Sequence, residues 1–536
     1  MRFSGHTRSG VVAASAAAAL VLAPATAGAA PADVLAPRTH FTMAPDGSSG
    51  LTEGGEGIPN IDSVKSTIRT YYHATNGIAD KQSSPYITEM HAIEDAQWGW
   101  LSEAYDEAVV AGETPAIVFD ADDTTLWTYD MEDAAMHFVF DPVLQNTWVQ
   151  EKKFPATPGM VDFVEQAQDM GFAIYGITGR RAAQEAATVG NLEDVGYTAF
   201  DGDNFYTKWD GADSNAPSYV HCDGDGNPSC STVEYKAWTR AHIEQADDVD
   251  IVLNVGDQWS DLQGGYADHT LKLPNPTYFL PSADLDGTPA DAEFSPRTHF
   301  TMAPDGSSGL TEGGEGIPNI DSVKSTIRTY YRAPSGIADK QSSPYIDELD
   351  ADTKAWAADV RHDCSTSSSK RPAVVFDADD TTLWTYDMED AAMHFVFDPA
   401  LQDVWVQDER FPATPHMDRV VTAAKKGGCT IFGLTGRNDN QREATLDNLQ
   451  KWYPGAFKDK YYFTKWTGTG SSQQPAYITC AAVRCTTIEY KSQTRAHIED
   501  DLGFHIVANY GDQFSDLIGG HADRAVKLPN PTYYLP

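Results

Sequence analysis

The chain contains the stretch Ala116-Ile-Val-Phe-Asp120-Ala-Asp122-Asp-Thr124-Thr-Leu-Trp127, in which four apolar residues lead into three acids within four positions. A short apolar run of this kind is typical of a buried strand in a parallel sheet. Carboxylates at the carboxyl end of such a strand lie where open α/β sheets bind their ligands. Two acids spaced i, i+2 can face one point if the chain curls just past the strand. The stretch alone leaves an acidic surface turn open as the alternative.

The same stretch occurs a second time, as Val375-Phe-Asp377-Ala-Asp379-Asp-Thr381-Thr-Leu-Trp384. Residues 37–87 also return as residues 296–346 with three differences, and both copies end on Lys-Leu-Pro-Asn-Pro-Thr-Tyr. The repeat is far longer than a solenoid unit, so the duplication predicts two tandem domains. We place these domains at residues 37–281 and 296–536, joined by a short, polar, acidic linker at residues 282–295.

The charge of the chain limits its partners. Its 536 residues include 78 acids against 38 lysines and arginines, which gives a net charge of −40. A surface this acidic repels nucleic acid and anionic membranes, so neither is an expected partner.

The amino terminus predicts export. Arg2 and Arg8 form a basic region, residues 11–23 are an Ala-rich apolar run, and Ala27-Gly28-Ala29 resembles a cleavage site. The apolar run is too short for a membrane span, so residues 1–29 are interpreted as a secretory signal peptide. We therefore expect a secreted, extracellular protein.

Export makes disulfides plausible for the six cysteines. Two pairs each bracket a short loop at corresponding places in the copies. The third pair precedes two strands of the second copy that should be neighbours in the sheet, with both cysteines at the amino ends. We predict three disulfides, Cys222–Cys230, Cys480–Cys485 and Cys364–Cys429. The alternative is a set of buried free thiols, and no cysteine or histidine cluster has the spacing of a zinc site.

Three further motifs follow the acidic strand in the same order in both copies. An apolar strand at residues 172–177 ends in Thr178-Gly-Arg, which we interpret as a tight glycine turn into a helix that suits a phosphate. Lys236 lies near the start of a helix, and a last buried strand ends in Asp257 and Asp261. Taken singly, these motifs also fit an ordinary turn, a surface lysine and a helix cap.

The segments around these motifs are predicted to be largely helical. Helices are expected near residues 62–72 and from Pro85 towards Val110. The aromatic-rich segment at 127–158 is a candidate cap over the site, although most of its aromatic side chains are expected in the core.

Together the motifs read Asp-x-Asp-x-Thr, Thr-Gly-Arg, Lys and Gly-Asp-x-x-x-Asp, twice. This order resembles the haloacid dehalogenase (HAD) superfamily of phosphohydrolases. The residues in and around these motifs are similar in particular to those of its secreted acid phosphatase branch, the plant class B and bacterial type. The resemblance implies an α/β protein with two tandem Rossmann-like domains, each a mainly parallel sheet flanked by helices with a small helical cap insert.

The resemblance also implies roles for the residues of the first copy. Asp120 would attack phosphorus, and Asp122 would protonate the leaving oxygen and later deprotonate water. Thr178 and Lys236 would hold the phosphoryl oxygens, with Lys208 as the runner-up for the lysine. The implied catalytic residues of the second copy are Asp377, Asp379, Thr435 and Lys491. The implied Mg²⁺ ligands are Asp120, the backbone carbonyl of Asp122, Asp257 and Asp261, and their twins Asp377, Asp379, Asp512 and Asp516.

The sequence thus predicts a secreted Mg²⁺-dependent acid phosphatase that hydrolyses small phosphomonoesters at two sites. A phosphotransferase, or a storage or binding protein with weak activity on the same scaffold, stays open as an alternative. The branch usually carries an arginine where the first copy has Glu185 and the second has Arg442. We therefore expect the second site to be faster. The two domains can also pack on each other as a pseudo-dimer, an arrangement that the sequence leaves open.

Overall fold

A computed structural model of the chain describes residues 58–222, 229–280, 285 and 317–535. The predicted signal peptide and all but one residue of the predicted linker lie outside these residues. The signal peptide and the domain boundaries therefore stay predictions.

The first copy consists of one sheet with helices before and between its strands. Its strands are β1 (Thr114–Phe119), β2 (Ala173–Arg181), β3 (Phe205–Lys208), β4 (Val249–Gly256) and β5 (His269–Lys272). Its helices are α1 (Ile61–Tyr71), α2 (Pro85–Ala111), α3 (Pro142–Gln150), α4 (Met160–Met170), α5 (Glu185–Asp194), α6 (Thr232–Asp247) and α7 (Trp259–Leu262).

The second copy repeats these elements in the same order. Its strands are β6 (Pro372–Phe376), β7 (Thr430–Asn438), β8 (Tyr462–Lys465), β9 (His505–Gly511) and β10 (Ala525–Lys527). Its helices are α8 (Ile320–Tyr331), α9 (Pro344–Thr366), α10 (Pro399–Gln407), α11 (Met417–Gly427), α12 (Arg442–Trp452), α13 (Thr487–Asp500) and α14 (Phe514–Leu517).

Both sheets are parallel and have the same topology. The first has the order β3-β2-β1-β4-β5, and the second the order β8-β7-β6-β9-β10. The strand that precedes the acidic motif is therefore central in each sheet, as expected for a buried apolar run. This arrangement of two parallel-sheet α/β units with flanking helices confirms the predicted fold class.

The second helix begins and ends where local sequence signals dictate. Ser84 accepts a hydrogen bond from the backbone N–H of Ile87, and Pro85 occupies the first helical turn. Helix α2 ends at Gly112, whose φ of 87° is the left-handed conformation that favours glycine at a helix end. This start confirms the prediction of a helix from Pro85.

The segment between β1 and β2 is only partly α-helical. It contains a π-helical turn, Met131–Ala135, followed by helix α3. Trp127, Tyr129 and Phe138 are buried within it. The expectation that most of these aromatic side chains belong to the core is confirmed.

The prediction of a glycine turn at Thr178-Gly-Arg is wrong. Strand β2 continues through Gly179 to Arg181, and its pairing with β3 shifts register between Thr178 and Arg181. Pairing of Arg181 with Lys208 keeps this backbone extended beyond the point where the sequence suggests a turn.

The apolar core includes side chains from both copies. Helix α1 buries Ile61, Val64 and Ile68, and it contacts helix α8 of the second copy. One continuous cluster of buried apolar side chains joins the first copy to residues of the second, among them Ile320, Val323, Ile327, Tyr330, Tyr345, Trp384, Tyr386 and Phe395.

All three predicted disulfides are present, Cys222–Cys230, Cys364–Cys429 and Cys480–Cys485. Strands β6 and β7, which follow Cys364 and Cys429 in the sequence, are neighbours in the sheet as expected. The first copy has an aromatic contact in the equivalent place, where the ring centroids of Tyr105 and Phe172 lie 5.2 Å apart. Within the described residues, none of the helices is both long and apolar enough to span a membrane.

Candidate active site

Three carboxylates of the first copy meet at the carboxyl edge of its sheet. Asp120 follows β1, Asp257 follows β4, and Asp261 lies in the short helix α7. All three are buried, and a carboxylate oxygen of each lies within 4.8 Å of the other two. The parallel strands β1 and β4 are neighbours, which brings together acids that are far apart in the sequence.

Lys236 projects from helix α6 into this cluster. Its Nζ donates hydrogen bonds to Asp120 Oδ1 at 2.5 Å and to Asp261 Oδ1 at 2.7 Å. The runner-up for this role, Lys208, instead donates to the Cys230 carbonyl at 3.0 Å. The structure therefore brings Lys236, and not Lys208, into contact with the first acid.

Gln258 and Asn275 fix the orientation of the remaining carboxylates. Asp257 Oδ2 accepts hydrogen bonds from Gln258 Nε2 and Asn275 Nδ2, both at 2.7 Å. Asp261 Oδ2 accepts one from the Gln258 backbone N–H at 2.9 Å. Asn275 belongs to the repeated Lys-Leu-Pro-Asn-Pro motif, but sequence reasoning did not connect this motif to the acids.

The second acid of the motif has a different partner. Asp122 is bound by Arg180, whose Nη2 lies 2.6 Å from Oδ1 and whose Nε lies 3.1 Å from Oδ2. The Arg180 side chain is almost fully buried, whereas that of Asp122 is 29% exposed. Arg180 Nη1 also donates to Thr188 Oγ1 at 3.0 Å. The sequence analysis did not predict this role of Arg180, because the sequence does not indicate which residue an arginine at the end of a strand contacts.

The loop after β1 is held by the third acid of the motif. Asp123 has a left-handed φ of 50° and accepts hydrogen bonds from the backbone N–H and the hydroxyl of Thr128. The turn is closed by backbone hydrogen bonds from the Asp123 N–H to the Leu126 carbonyl and from the Leu126 N–H to the Ala121 carbonyl. Asp123 was not assigned a role from the sequence, and its role here is structural.

Thr178 is fully buried in strand β2, which pairs with the central strand β1. Its Oγ1 accepts a hydrogen bond from the Arg180 backbone N–H at 3.2 Å. The Thr178 hydroxyl therefore keeps its proton for another acceptor. The role of Thr178 in holding a phosphoryl oxygen stays a prediction.

The second copy repeats the geometry. Lys491 Nζ lies 2.6 Å from Asp377 Oδ1 and 2.5 Å from Asp516 Oδ1, and Asp512 completes the acidic cluster. Arg437 binds Asp379 at 2.6 Å, in the way that Arg180 binds Asp122. Each implied acid and lysine thus occupies the same position in both copies.

Burial dominates the electrostatics of the cluster. Desolvation raises the pKa of Asp120 well above its usual value, although the nearby Lys236 opposes this rise. Desolvation, followed by the charge of Asp261, raises the pKa of Asp257 to about 7. Desolvation alone would lower the pKa of Lys236, but Asp120 and Asp261 outweigh it and raise that pKa.

The charge and the donor set fit a divalent cation. In each copy one ammonium group forms the ion pairs of three buried carboxylates among the described residues, so the cluster favours a further positive charge. All three donors are oxygens, which hard cations such as Mg²⁺ prefer.

Comparison with known proteins identifies the family. A sequence model of the HAD superfamily, subfamily IIIB (Acid phosphatase), matches residues 71–281 and again residues 323–536. The chain belongs to this family. The two matches confirm both the resemblance found in the sequence and its tandem duplication.

Several named proteins match parts of the chain. It is 33% identical over 168 residues to Acid phosphatase 1 of Solanum lycopersicum, covering 31% of the chain and 60% of that protein. It is 31% identical over 143 residues to a stem 28 kDa glycoprotein of Glycine max, covering 26% of the chain and 50% of that protein. Vegetative storage protein 2 of Arabidopsis thaliana is 23% identical over 205 residues, and the match covers 36% of the chain and 71% of that protein. The matches to the first two relatives therefore cover only 60% and 50% of the lengths of those proteins.

A solved structure of a class C acid phosphatase from Bacillus anthracis also matches. Its sequence identity to the chain is 26% and the TM-score is 0.25. The match covers 32% of this chain and 64% of that one.

A cavity of about 770 Å³ opens over the acidic cluster of the second copy. Asp377, Asp379 and Lys491 line it, together with Gly436 and Arg437 of the Thr-Gly-Arg motif. The cavity is far larger than a phosphate group, so it has room for the rest of a substrate.

Arg442, which occupies the family's arginine position in the second copy, does not line this cavity. Arg442 Nε donates to Asp459 Oδ1 at 3.0 Å, and Glu185 accepts a hydrogen bond from Thr207 at 2.9 Å. Glu185 thereby links helix α5 to strand β3, and Arg442 links helix α12 to the segment before strand β8. The reason for expecting a faster second site is therefore not supported, and the relative rates of the copies stay a prediction.

Proposed function

We propose that this chain is a secreted, Mg²⁺-dependent acid phosphatase that hydrolyses phosphomonoesters through an aspartyl-phosphate, with one site in each copy. The observation that carries the proposal is the contact of Lys236 with both Asp120 and Asp261 inside a buried carboxylate cluster. A cation beside a strand-end carboxylate offsets the repulsion between that carboxylate and an approaching phosphate dianion. The second copy repeats this contact with Lys491, Asp377 and Asp516.

The first step transfers the phosphoryl group to the protein. A carboxylate oxygen of Asp120 attacks phosphorus, so an O–P bond forms while the bond from phosphorus to the ester oxygen breaks. Asp122, in its protonated form, gives its proton to the departing oxygen, and an alcohol leaves. Arg180 orients Asp122 for this transfer, because its guanidinium group contacts both carboxylate oxygens.

The second step releases phosphate. Water attacks phosphorus of the aspartyl-phosphate, Asp122 accepts a proton from that water, and the bond from phosphorus to Asp120 breaks. Both carboxylic groups return to their starting states. Lys236 and the hydroxyl of Thr178 would hold phosphoryl oxygens through both steps.

Mg²⁺ would be held by the carboxylates of Asp120, Asp257 and Asp261 and the backbone carbonyl of Asp122. When bound, the ion supplies charge stabilisation for the transferring phosphoryl group. Gln258 and Asn275 fix the Asp257 carboxylate through hydrogen bonds to its Oδ2.

The disulfides and the predicted signal peptide support a secreted enzyme. Three disulfides involve all six cysteines, as is typical of proteins outside the cytosol. Small phosphomonoesters are the proposed substrates.

Two alternatives have specific tests. A storage role is favoured by the relative named as a vegetative storage protein, but both copies of this chain keep Asp120 or its twin Asp377. A phosphotransferase would use the same residues and pass the phosphoryl group to an alcohol. Product analysis with added alcohol distinguishes it from a hydrolase.

The test of the proposed function is phosphate release from a panel of phosphomonoesters, with and without Mg²⁺, from acidic to neutral pH. We expect turnover that a chelator abolishes and that added Mg²⁺ restores. Full activity in excess chelator would contradict the metal-dependent mechanism, and no phosphate release from any ester would contradict the phosphatase assignment.

A further inference from the structure

The cavity over the second site has walls from both copies. One wall carries the catalytic residues of the second copy, described above. The other contains residues of the first copy, Asp62, Lys65, Arg69 and His137. The first three of these lie on helix α1, before the point where the first family match begins.

Hydrogen bonds fix the start of helix α1 on the carboxyl-terminal segment of the second copy. Asn60 Nδ2 donates to the carbonyls of Asn530 at 3.0 Å and Tyr533 at 2.8 Å. Asp62 Oδ2 accepts from the Tyr534 backbone N–H at 3.1 Å. Asn530 in turn donates to Asp512 Oδ2 at 2.7 Å. Helix α1 is thus connected through one segment to the acidic cluster of the other copy.

Lys65 is the buried cation of this wall. Its Nζ donates to the Phe395 carbonyl of the second copy and lies 3.4 Å from Asp62 Oδ1. The residue is only 7% exposed, so its ammonium group is held in place within the cavity wall. Arg69, the other cation of α1, is already paired with Asp133 of its own copy through two hydrogen bonds.

Glu389 is a buried carboxyl group that lines the same cavity. It is 7% exposed, and its carboxylate has no hydrogen bond or ion pair with the residues that the structure describes. Desolvation raises its pKa well above the usual value, and the charges of Asp380, Asp379 and Asp62 add to this rise. Lys65 opposes the rise, so a charge from the first copy acts on a carboxyl group in the second site.

We propose that Lys65, which comes from the first copy, sets the charge at the leaving-group end of the second site and thereby selects its substrates. This inference rests on the proposed phosphatase function and names the residue that distinguishes one ester from another. The ammonium group of Lys65 favours anionic leaving groups and disfavours cationic ones. The two domains then function as a pseudo-dimer whose sites each need a helix from the other copy.

The first copy has the reciprocal arrangement. Lys324 Nζ of helix α8 donates to the Phe138 carbonyl, and Asn319 Nδ2 donates to the Asn275 and Tyr278 carbonyls. Glu132, the twin of Glu389, is buried, and both Asp122 and Lys324 affect its pKa. Desolvation raises its pKa well above the usual value, as for Glu389. Lys324 therefore occupies the same position near the first site as Lys65 occupies near the second.

The test measures substrate preference at one site at a time. In an Asp120→Asn background only the second site works, so kcat/KM is measured there for phosphoethanolamine, glycerol phosphate and 3-phosphoglycerate. Their leaving groups are cationic, neutral and anionic. We expect Lys65→Met to shift the ratio of the cationic to the anionic substrate about 10-fold towards the cationic one, as expected for loss of one buried charge. Lys65→Arg should restore the original ratio.

Matched variants locate the effect. Lys65→Gln removes the same charge but keeps a hydrogen-bond donor for the Phe395 carbonyl, so it should shift the ratio in the same direction, and it keeps the proposal testable if Lys65→Met does not fold. The exposed Lys152 pairs with Asp194 on the surface, and Lys152→Met serves as the neutral control. In an Asp377→Asn background, Lys324→Met should have the larger effect and Lys65→Met the smaller one. Equal changes for all three substrates, or a larger effect of each lysine on its own copy, would overturn the proposal.

A crosslink tests the contact between the copies without any activity. The variant Asp62→Cys/Tyr534→Cys places two thiols where Asp62 contacts the Tyr534 backbone. We expect a disulfide within one chain on mild oxidation, detected by non-reducing peptide mapping. Free thiols, or a disulfide between two chains, would contradict the shared site. If the crosslink forms but no ester is hydrolysed, the proposed function is wrong while the contact is correct.

Discussion

Lys236 Nζ lies 2.5 Å from Asp120 Oδ1 and 2.7 Å from Asp261 Oδ1, and so joins the end of the central strand to the helix after β4. All three side chains are buried, with no more than 8% of any of them exposed. In water-excluded surroundings such a cation interacts more strongly with developing negative charge than it would in solvent. This contact carries the functional interpretation.

Loss of the Lys236 ammonium group should therefore impair turnover. In an Asp377→Asn background, which isolates the first site, we expect Lys236→Met to lower kcat by about 100- to 1,000-fold. Lys208→Met is the matched control, since Lys208 contacts the Cys230 carbonyl instead of the acids, and it should lose much less. A comparable loss in the two variants would contradict the assignment of Lys236.

Arg180 should affect proton transfer to the leaving group. Arg180→Lys keeps the positive charge but cannot contact both oxygens of Asp122, so the general acid would be misplaced. In the same background, we expect a loss of about 10- to 100-fold in kcat for an alkyl phosphate and a clearly smaller loss for p-nitrophenyl phosphate, whose leaving group needs no proton.

The neighbouring Arg181 offers the control for this experiment. Its Nη1 donates to the Trp209 carbonyl and not to an acid. Arg181→Lys should therefore affect both substrates little. An equal loss for the alkyl and nitrophenyl esters in Arg180→Lys would show that the arginine does not act through the general acid.

The sequence predicts the fold and the acids for a physical reason. Apolar runs that end in acids give the central strands, and the carboxyl ends of parallel strands meet at one edge, which brings Asp120 and Asp257 together. The contact of Arg180 with Asp122 could not be predicted in this way. It depends on an extended backbone through Arg181, which follows from pairing with β3 and not from the local sequence.

Contacts between the copies were also beyond the reach of local patterns. Asn60 and Asn530 are 470 positions apart, and each has an ordinary local role as a helix cap or in a proline-rich segment. Residues 37–87 and 296–346 differ at three positions and form the longest nearly unchanged stretch of the duplication. This similarity indicated that the helix within the stretch has an important role. It did not reveal that the helix contacts the other copy.

Glu94 should make the first copy less stable at alkaline pH. It is 5% exposed, its Oε1 has no hydrogen-bond partner among the described residues, and its Oε2 lies 3.4 Å from His91 Nδ1. Burial, followed by the charges of Asp95 and Asp162, raises the pKa of Glu94 to about 8. The folded state therefore binds this proton more tightly than the unfolded state, whose glutamate pKa is about 4.3. Stability is lost as the pH rises between these two values.

Glu94→Gln removes this titration. We expect the variant to be more stable than the parent at pH 8, by at least about 1 kcal/mol or roughly 2–4 °C in Tm, and the difference to shrink towards pH 4. Thermal unfolding across this pH range measures it. The twin position in the second copy holds Thr353, and Thr353→Ser should show no such pH dependence. Parallel pH profiles of Glu94→Gln and the parent would contradict the buried-carboxyl account.

The Cys364–Cys429 disulfide should contribute more stability than the Cys480–Cys485 disulfide. The first joins residues 65 positions apart and the second residues 5 positions apart. By loop-closure entropy, removing the first pair with alanines should cost about 4 kcal/mol and removing the second about 2 kcal/mol. Urea unfolding of the two double variants measures the order, and an equal or reversed order would contradict this explanation.

The central claim is that each copy has its own site, built around Asp120 in the first and Asp377 in the second. The most direct measurement is phosphate release, in the presence of Mg²⁺, by Asp120→Asn, Asp377→Asn and the double variant, with folding checked by circular dichroism. We predict that each single variant keeps activity from its intact copy and that the double variant has none. Complete loss in a folded single variant, or activity that persists in the double variant, would contradict the account.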